Sequence, residues 1–192
     1  MNKLVKGAVA GAAGIALLLG GASTFALWNA NTEVNAATVA SGTLSLATTS
    51  AGTWTDVTNG RSTPLTAAQV AAYKIVPGTK LQFTQPLTVT ATGTDLRADL
   101  SYDATTVTGT LKPFTTTALT VASAAGASTL PAGFAAGATP GTYVVSPTAA
   151  GSTPVVATFV VELPSTVSDA ASMNGTLDLS KLALTLKQRV IA

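Results

Sequence analysis

The chain has neither cysteine nor histidine, and only 9% of its 192 residues are charged. Without cysteine there is no disulfide framework and no thiol chemistry. Without histidine, serine and cysteine triads and histidine-bearing metal sites are excluded as they are usually built. Lys3 and Lys6 supply the whole formal excess of +2, since beyond them eight Lys/Arg face eight Asp/Glu. No basic patch therefore argues for nucleic acid. Aromatic residues make up 5%, and the two tryptophans, Trp28 and Trp54, read as core or interface plugs because each has a large apolar area to bury. From Trp28 onward, threonine, alanine, valine and glycine dominate the text. That is the vocabulary of strands and turns.

Paired carboxylates are the remaining route to catalysis, and they are badly placed for it. On one strand Asp99 and Asp103 would share a face about 13 Å apart at ~3.3 Å per residue, too far for a single acid/base pair. They read as part of a solvated strand face, and no EF-hand-like spacing supports a calcium site at Asp95, Asp99 or Asp103. The expectation is a protein that is not an enzyme and needs no cofactor.

The opening, MNKLVKGAVAGAAGIALLLGGASTFALWNANTEV, has the three parts of a secretory signal. Lys3 and Lys6 form the charged region, an apolar run follows from about Ala8 to Leu19, and small residues come after it. Thr24-Phe25-Ala26 offers small residues at the two positions a signal peptidase reads, so cleavage is expected between Ala26 and Leu27, with the bond after Thr24 as second choice. A retained anchor is the competing reading, since Gly7 to Trp28 reaches the ~20 residues of a spanning helix. Its Gly/Ala richness and the lack of a positive stop-transfer cluster favour cleavage, so membrane contact is expected only through the uncleaved segment. The domains are then 1–26 as signal peptide, 27–39 as an N-terminal strand and 40–192 as the folded domain.

Strand periodicity begins at once. In WNANTEVNA the even positions are Trp28, Ala30, Thr32, Val34 and Ala36, and the odd ones are Asn29, Asn31, Glu33 and Asn35. This is the period of a strand with one buried face. Leu87, Val89 and Ala91 alternate with threonines, and Leu96, Ala98, Leu100 and Tyr102 alternate with Arg97, Asp99, Ser101 and Asp103. The turn chemistry of Thr92-Gly93-Thr94-Asp95 between them predicts a hairpin. Val155, Ala157, Phe159, Val161 and Leu163 mark another apolar face. In TLDLSKLALTL the parity changes between Leu177/Leu179 and Leu182/Leu184/Leu186, which requires a bulge or corner near Ser180.

One stretch has a different grammar. STPLTAAQVAAYKIVPG predicts a short helix, capped by Ser62 or Thr63, with Pro64 at its first helical position and a Pro-Gly stop. From Ala118 to Pro154 the text is rich in Gly, Ala, Ser and Pro, and predicts one or two edge strands joined by loops. LPSTV at Leu163 to Val167 superficially matches a sortase signal but lacks the final glycine and any apolar tail after it.

Two phrases together resemble a known family. GGASTFALWNANTEVNAATVASGTLSL is similar to the opening of the SipW-dependent, alternate-type signal-peptide proteins of Gram-positive bacteria, the TasA/camelysin-like family, and most of all its short actinobacterial branch. There a Gly-rich end of the apolar run leads to the cut site, a strand and an ASGTLDL-like phrase, which here is Ala40 to Leu46. YKIVPGTKLQFTQPLTVTATGTDLRADLSYD resembles the family's second block, with Pro77-Gly78-Thr79 in its Pro-Gly-Asp place. Ser45 stands where the family phrase has an acid, on a position expected to face solvent.

The resemblance implies an all-β, jelly-roll-like two-sheet sandwich with one short helix, secreted to the extracellular matrix or cell surface. It implies a biofilm-fibre subunit that polymerises by donor-strand complementation, with Leu27, Trp28, Ala30, Thr32, Val34 and Ala36 on the donor strand. Expected partners are further copies of the chain and other matrix or cell-surface proteins. The metalloprotease activity attached to the camelysin name finds no histidine here. The alternative function is a monomeric cell-surface sandwich that binds or adheres through its Gly/Ala-rich loops.

Overall fold

A computed structural model describes residues 41–126, 129–168 and 170–189. The chain divides at Val39/Ala40, and the described residues belong to the second unit. The signal segment, its cut site and the 27–39 strand lie outside the described residues.

The strands are β1 (Leu44–Thr48), β2 (Thr53–Asp56), β3 (Thr63–Leu65), β4 (Lys80–Ala91), β5 (Ala98–Tyr102), β6 (Thr116–Ser123), β7 (Phe134–Ala136), β8 (Tyr143–Val145), β9 (Ser152–Glu162) and β10 (Leu184–Gln188). Among the described residues one α-helix, α1 (Ala67–Ala72), lies between β3 and β4. A six-stranded sheet has the order β3-β2-β4-β9-β6, with β1 also on β4, and a four-stranded sheet has the order β10-β5-β8-β7. All pairings among the described residues are antiparallel. The expected all-β two-sheet sandwich is what the chain adopts. From β4 onward the chain passes repeatedly from one sheet to the other, as Greek-key sandwiches do.

The alternating faces define the core. Leu87, Val89, Ala91, Ala98, Leu100, Val155 and Ala157 are buried together, and Phe159, Val161, Leu81 and Val107 form an adjoining cluster. Tyr102 touches both clusters and meets Phe159 edge-on at 5.2 Å. Trp54 is half-buried against Phe83, with ring centroids 5.0 Å apart.

Pro86 inside the 12-residue β4 has a positional reason. Even-numbered β4 residues turn their backbone groups toward β1 and β2, and β1 ends opposite Leu87 while β2 starts opposite Thr84. The missing N–H of Pro86 falls in the gap between them, so no ladder bond is lost.

Four expectations meet their outcome here. The Thr92–Asp95 turn does not close a hairpin, because β4 and β5 lie in different sheets and the segment is an arch between them. Both strands turn the expected residues inward, and alternation alone does not distinguish a hairpin partner from a partner across the core. The helix is capped by Thr66 rather than by Ser62 or Thr63: the Gln69 amide N–H donates to the Thr66 hydroxyl, and the Thr66 amide donates to Gln69 Oε1. Thr63 and Pro64 instead form β3, where an edge tolerates proline. The stretch 118–154 holds more than one or two edge strands, since β8 sits inside the small sheet between β5 and β7. The corner near Ser180 is present: Ser180 N–H donates to Asp178 Oδ1 and Leu182 N–H to Leu179 O. It sends Leu177 and Leu179 to one core cluster and Leu184 and Leu186 to the other.

Candidate functional site at the open sheet edges

Every open sandwich must deal with its edge strands, because each presents a row of unpaired N–H and C=O groups. Among the described residues the edges differ in how far they are protected. β3 and β7 are three residues each, and β3 carries Pro64. β6 is longer, but its centre is covered. Tyr143 donates its hydroxyl to Leu119 O at 3.1 Å, and a Cβ on Gly141 would stand only 3.6 Å from the Leu119 nitrogen.

β1 and β10 are left, one from each sheet. Thr43 and Thr92 exchange backbone hydrogen bonds, so the alternate residues Ser45 and Ala47 also face β4. By the antiparallel pattern Leu44, Leu46 and Thr48 turn their backbone groups away from the sheet. Ala183 O accepts from Asp103 N–H, and Arg189 N–H donates to Arg97 O, which commits the odd positions of β10 to β5. Leu184, Leu186 and Gln188 therefore point theirs outward.

Between these two edges lies a slot of about 270 Å³. Leu46 and Thr48 of β1, Phe83, Gln85 and Leu87 of β4, and Phe159 of β9 line one side, while Leu182 and Leu184 close the other. No lining residue is charged. Gln85 stands on the inward face of β4 because its parity is that of Leu81, Phe83 and Leu87, and its Nε2 donates to Ser50 O at 2.6 Å and Pro86 O at 3.0 Å. Gly52 permits this packing, since a Cβ there would fall 2.1 Å from the Phe83 ring. Gly42 is needed for a similar reason: a Cβ would lie 2.1 Å from Thr92 O, so the chain enters β1 pressed against that carbonyl.

The carboxylates weighed from the sequence do not gather. Asp99 pairs with Arg189 at 2.7 Å on the outer side of the small sheet. Asp103 accepts from the hydroxyl and amide of Thr105, which hold its carboxyl below the usual range. Among the described residues no group of three His, Cys, Asp or Glu is arranged to hold a metal. Among them, too, no helix is long and apolar enough to cross a membrane. Ser45 is exposed, as its place in the Ala40 to Leu46 phrase implied.

Sequence reasoning missed two features. The slot has no linear signature, because β1, β4, β9 and the Leu182–Leu184 segment converge on it from across the chain. Asp56 is 6% exposed and accepts from Thr58 N–H at 2.9 Å, Tyr73 Oη at 2.7 Å and Arg61 at 3.3 Å. Asp56-Val57-Thr58 had a signal in an aspartate two residues before a threonine, the spacing of an Asx turn. The predicted site residues Ala26, Leu27, Trp28, Ala30, Thr32, Val34 and Ala36 all lie outside the described residues.

No family model matches the chain, and no curated protein or solved structure matches it either.

Proposed function

We propose that this chain is a secreted structural subunit of an extracellular matrix or cell-surface fibre, and that it polymerises by donating the strand at 27–39 to an open edge of the next copy. The observation that carries the reading is the pair of open strands, β1 and β10, flanking an uncharged slot of about 270 Å³. A donated strand gains backbone hydrogen bonds along that edge, and its alternate side chains enter the groove between the sheets. The even face of 28–36 is the apolar one, with Trp28, Ala30, Val34 and Ala36, and the odd face carries three asparagines and Glu33. A one-residue slip would drive those polar side chains into the slot, so register is specified by the alternation. Trp28 alone would bury on the order of 200 Å². At ~25 cal/mol per Å² that contributes about 5 kcal/mol before ordering costs.

Release of a free N-terminal strand by the cut after Ala26 makes assembly conditional on secretion. Electron microscopy of the secreted chain tests the proposal directly. Filaments are expected; monodisperse particles at all concentrations would favour the surface-binding monomer instead.

A further inference from the structure

Resting on that strand-donation reading, we infer that the donated strand joins the small sheet beside β10 rather than the large sheet beside β1, and that Trp28 of a second copy fills the slot with its indole N–H on Gln85 Oε1. Among the described residues the two walls of the slot are unequal. Eight of its lining residues belong to the six-stranded sheet, whereas the opposite wall is only Leu182, two residues before β10, and Leu184, its first residue. The four-stranded sheet is thus short by one strand over Leu46, Phe83 and Leu87. A strand on the outward groups of Leu184, Leu186 and Gln188 places its inward side chains over that gap. A strand on β1 would extend the sheet that is already the larger and leave the gap open.

The slot also matches its occupant in size and polarity. An apolar cavity of about 150 Å³ takes up a benzene, so about 270 Å³ has room for the bicyclic indole. Gln85 is the one amide side chain in the lining, and its NH₂ is engaged by the Ser50 and Pro86 carbonyls. No group among the described residues donates to its Oε1. An acceptor in walls that are apolar but for it and Thr48 suits the indole, a donor with no acceptor of its own.

Reach permits a second copy. Ser41 to Trp28 spans 13 residues, about 43 Å when extended at ~3.3 Å per residue. That exceeds the length of β4, the longest strand among the described residues at 12 residues and so about 40 Å.

The cysteine-free sequence makes disulfide trapping clean. Single-cysteine chains carrying Asn29→Cys, Asn31→Cys, Glu33→Cys or Asn35→Cys would each be mixed with a chain carrying Lys187→Cys or Ala47→Cys, assembled and oxidised. The inference expects intermolecular disulfides to Lys187→Cys and none to Ala47→Cys. Disulfides to Ala47→Cys alone would overturn the β10 assignment while leaving strand donation standing; disulfides to neither would overturn donation itself. For the anchor, the critical concentration for assembly should rise more than tenfold in Trp28→Ala and several-fold in Trp28→Phe. Combining Trp28→Phe with Gln85→Leu should add nothing to either alone, because both remove the same hydrogen bond. Additive effects, or an unchanged critical concentration in Trp28→Ala, would refute the role of Trp28.

Discussion

Asp56 offers a sharp test of what holds the β2–β3–α1 corner to the sandwich. Its carboxylate is 6% exposed and receives the Thr58 amide, the Tyr73 hydroxyl and the Arg61 guanidinium. Asp56→Ala leaves the Thr58 N–H and the Tyr73 hydroxyl without their acceptor, and an unsatisfied buried group costs roughly 1–3 kcal/mol. Arg61 is 56% exposed in its side chain, so it rehydrates and adds at most about 1 kcal/mol. We expect a total of about 3 kcal/mol, which for a domain of this size lowers Tm by about 6–12 °C. Hydrogen bonding from Thr58, its hydroxyl first, outweighs burial and holds the Asp56 pKa below its ordinary 3.8. The stability this contributes is present above 3.8 and is lost as pH falls through the lower, folded-state value. The Tyr73 pKa is raised above 10.0, chiefly by its hydrogen bond to Asp56, so its contribution is present below 10.0 and is lost as pH rises through the folded-state value. Thermal unfolding followed by circular dichroism should therefore show Asp56→Ala and wild type differing most near neutral pH and converging below 3.8. A Tm change under about 2 °C at pH 7, or a difference that grows in acid, would refute the reasoning.

Three further outcomes follow from the fold and the opening segment. Phe159→Ala and Leu100→Ala, both buried, should each cost about 3–4 kcal/mol in denaturant titration, whereas Thr88→Ala on the outer face should stay within roughly 0.5 kcal/mol. Gly42→Ala forces Thr92 O away from a Cβ that would sit 2.1 Å from it, so hydrogen exchange at Ser45 and Ala47 should quicken while β9 stays protected. Intact-mass measurement of secreted material should show a chain that begins at Leu27; a mature species retaining Lys3 and Lys6 would contradict the processing step.

Much of the sandwich was legible because strands report their faces locally. Val155 to Leu163 alternate without interruption, and all five inward residues are buried. The parity change around Ser180 likewise needed only its own residues to demand a corner. What periodicity does not carry is partnership. Leu87–Ala91 and Ala98–Tyr102 have the alternation and the turn of a hairpin, yet the four-residue turn bridges the core. The β7–β8 pair was masked by Gly/Ala/Ser-rich text in which short strands owe their pairing to neighbours rather than to propensity. The helix start slipped because Pro64 suits both a first helical turn and an edge strand, and the Thr66–Gln69 capping box decides between them. The slot was beyond sequence reading for the same reason as the arch: it depends on which strands are absent from an edge. Only Gln85, a polar residue at an inward position of β4, carried a trace of it.

The central claim is that the segment at 27–39 completes another copy's sandwich. The most direct measurement compares the chain beginning at Leu27 with one beginning at Ala40, by sedimentation at matched concentrations with unfolding recorded alongside. The account predicts that the shorter chain remains folded, stays monomeric, and binds a synthetic peptide of residues 27–39 in a one-to-one complex. A shorter chain that unfolds, or one that still assembles into filaments, would contradict it.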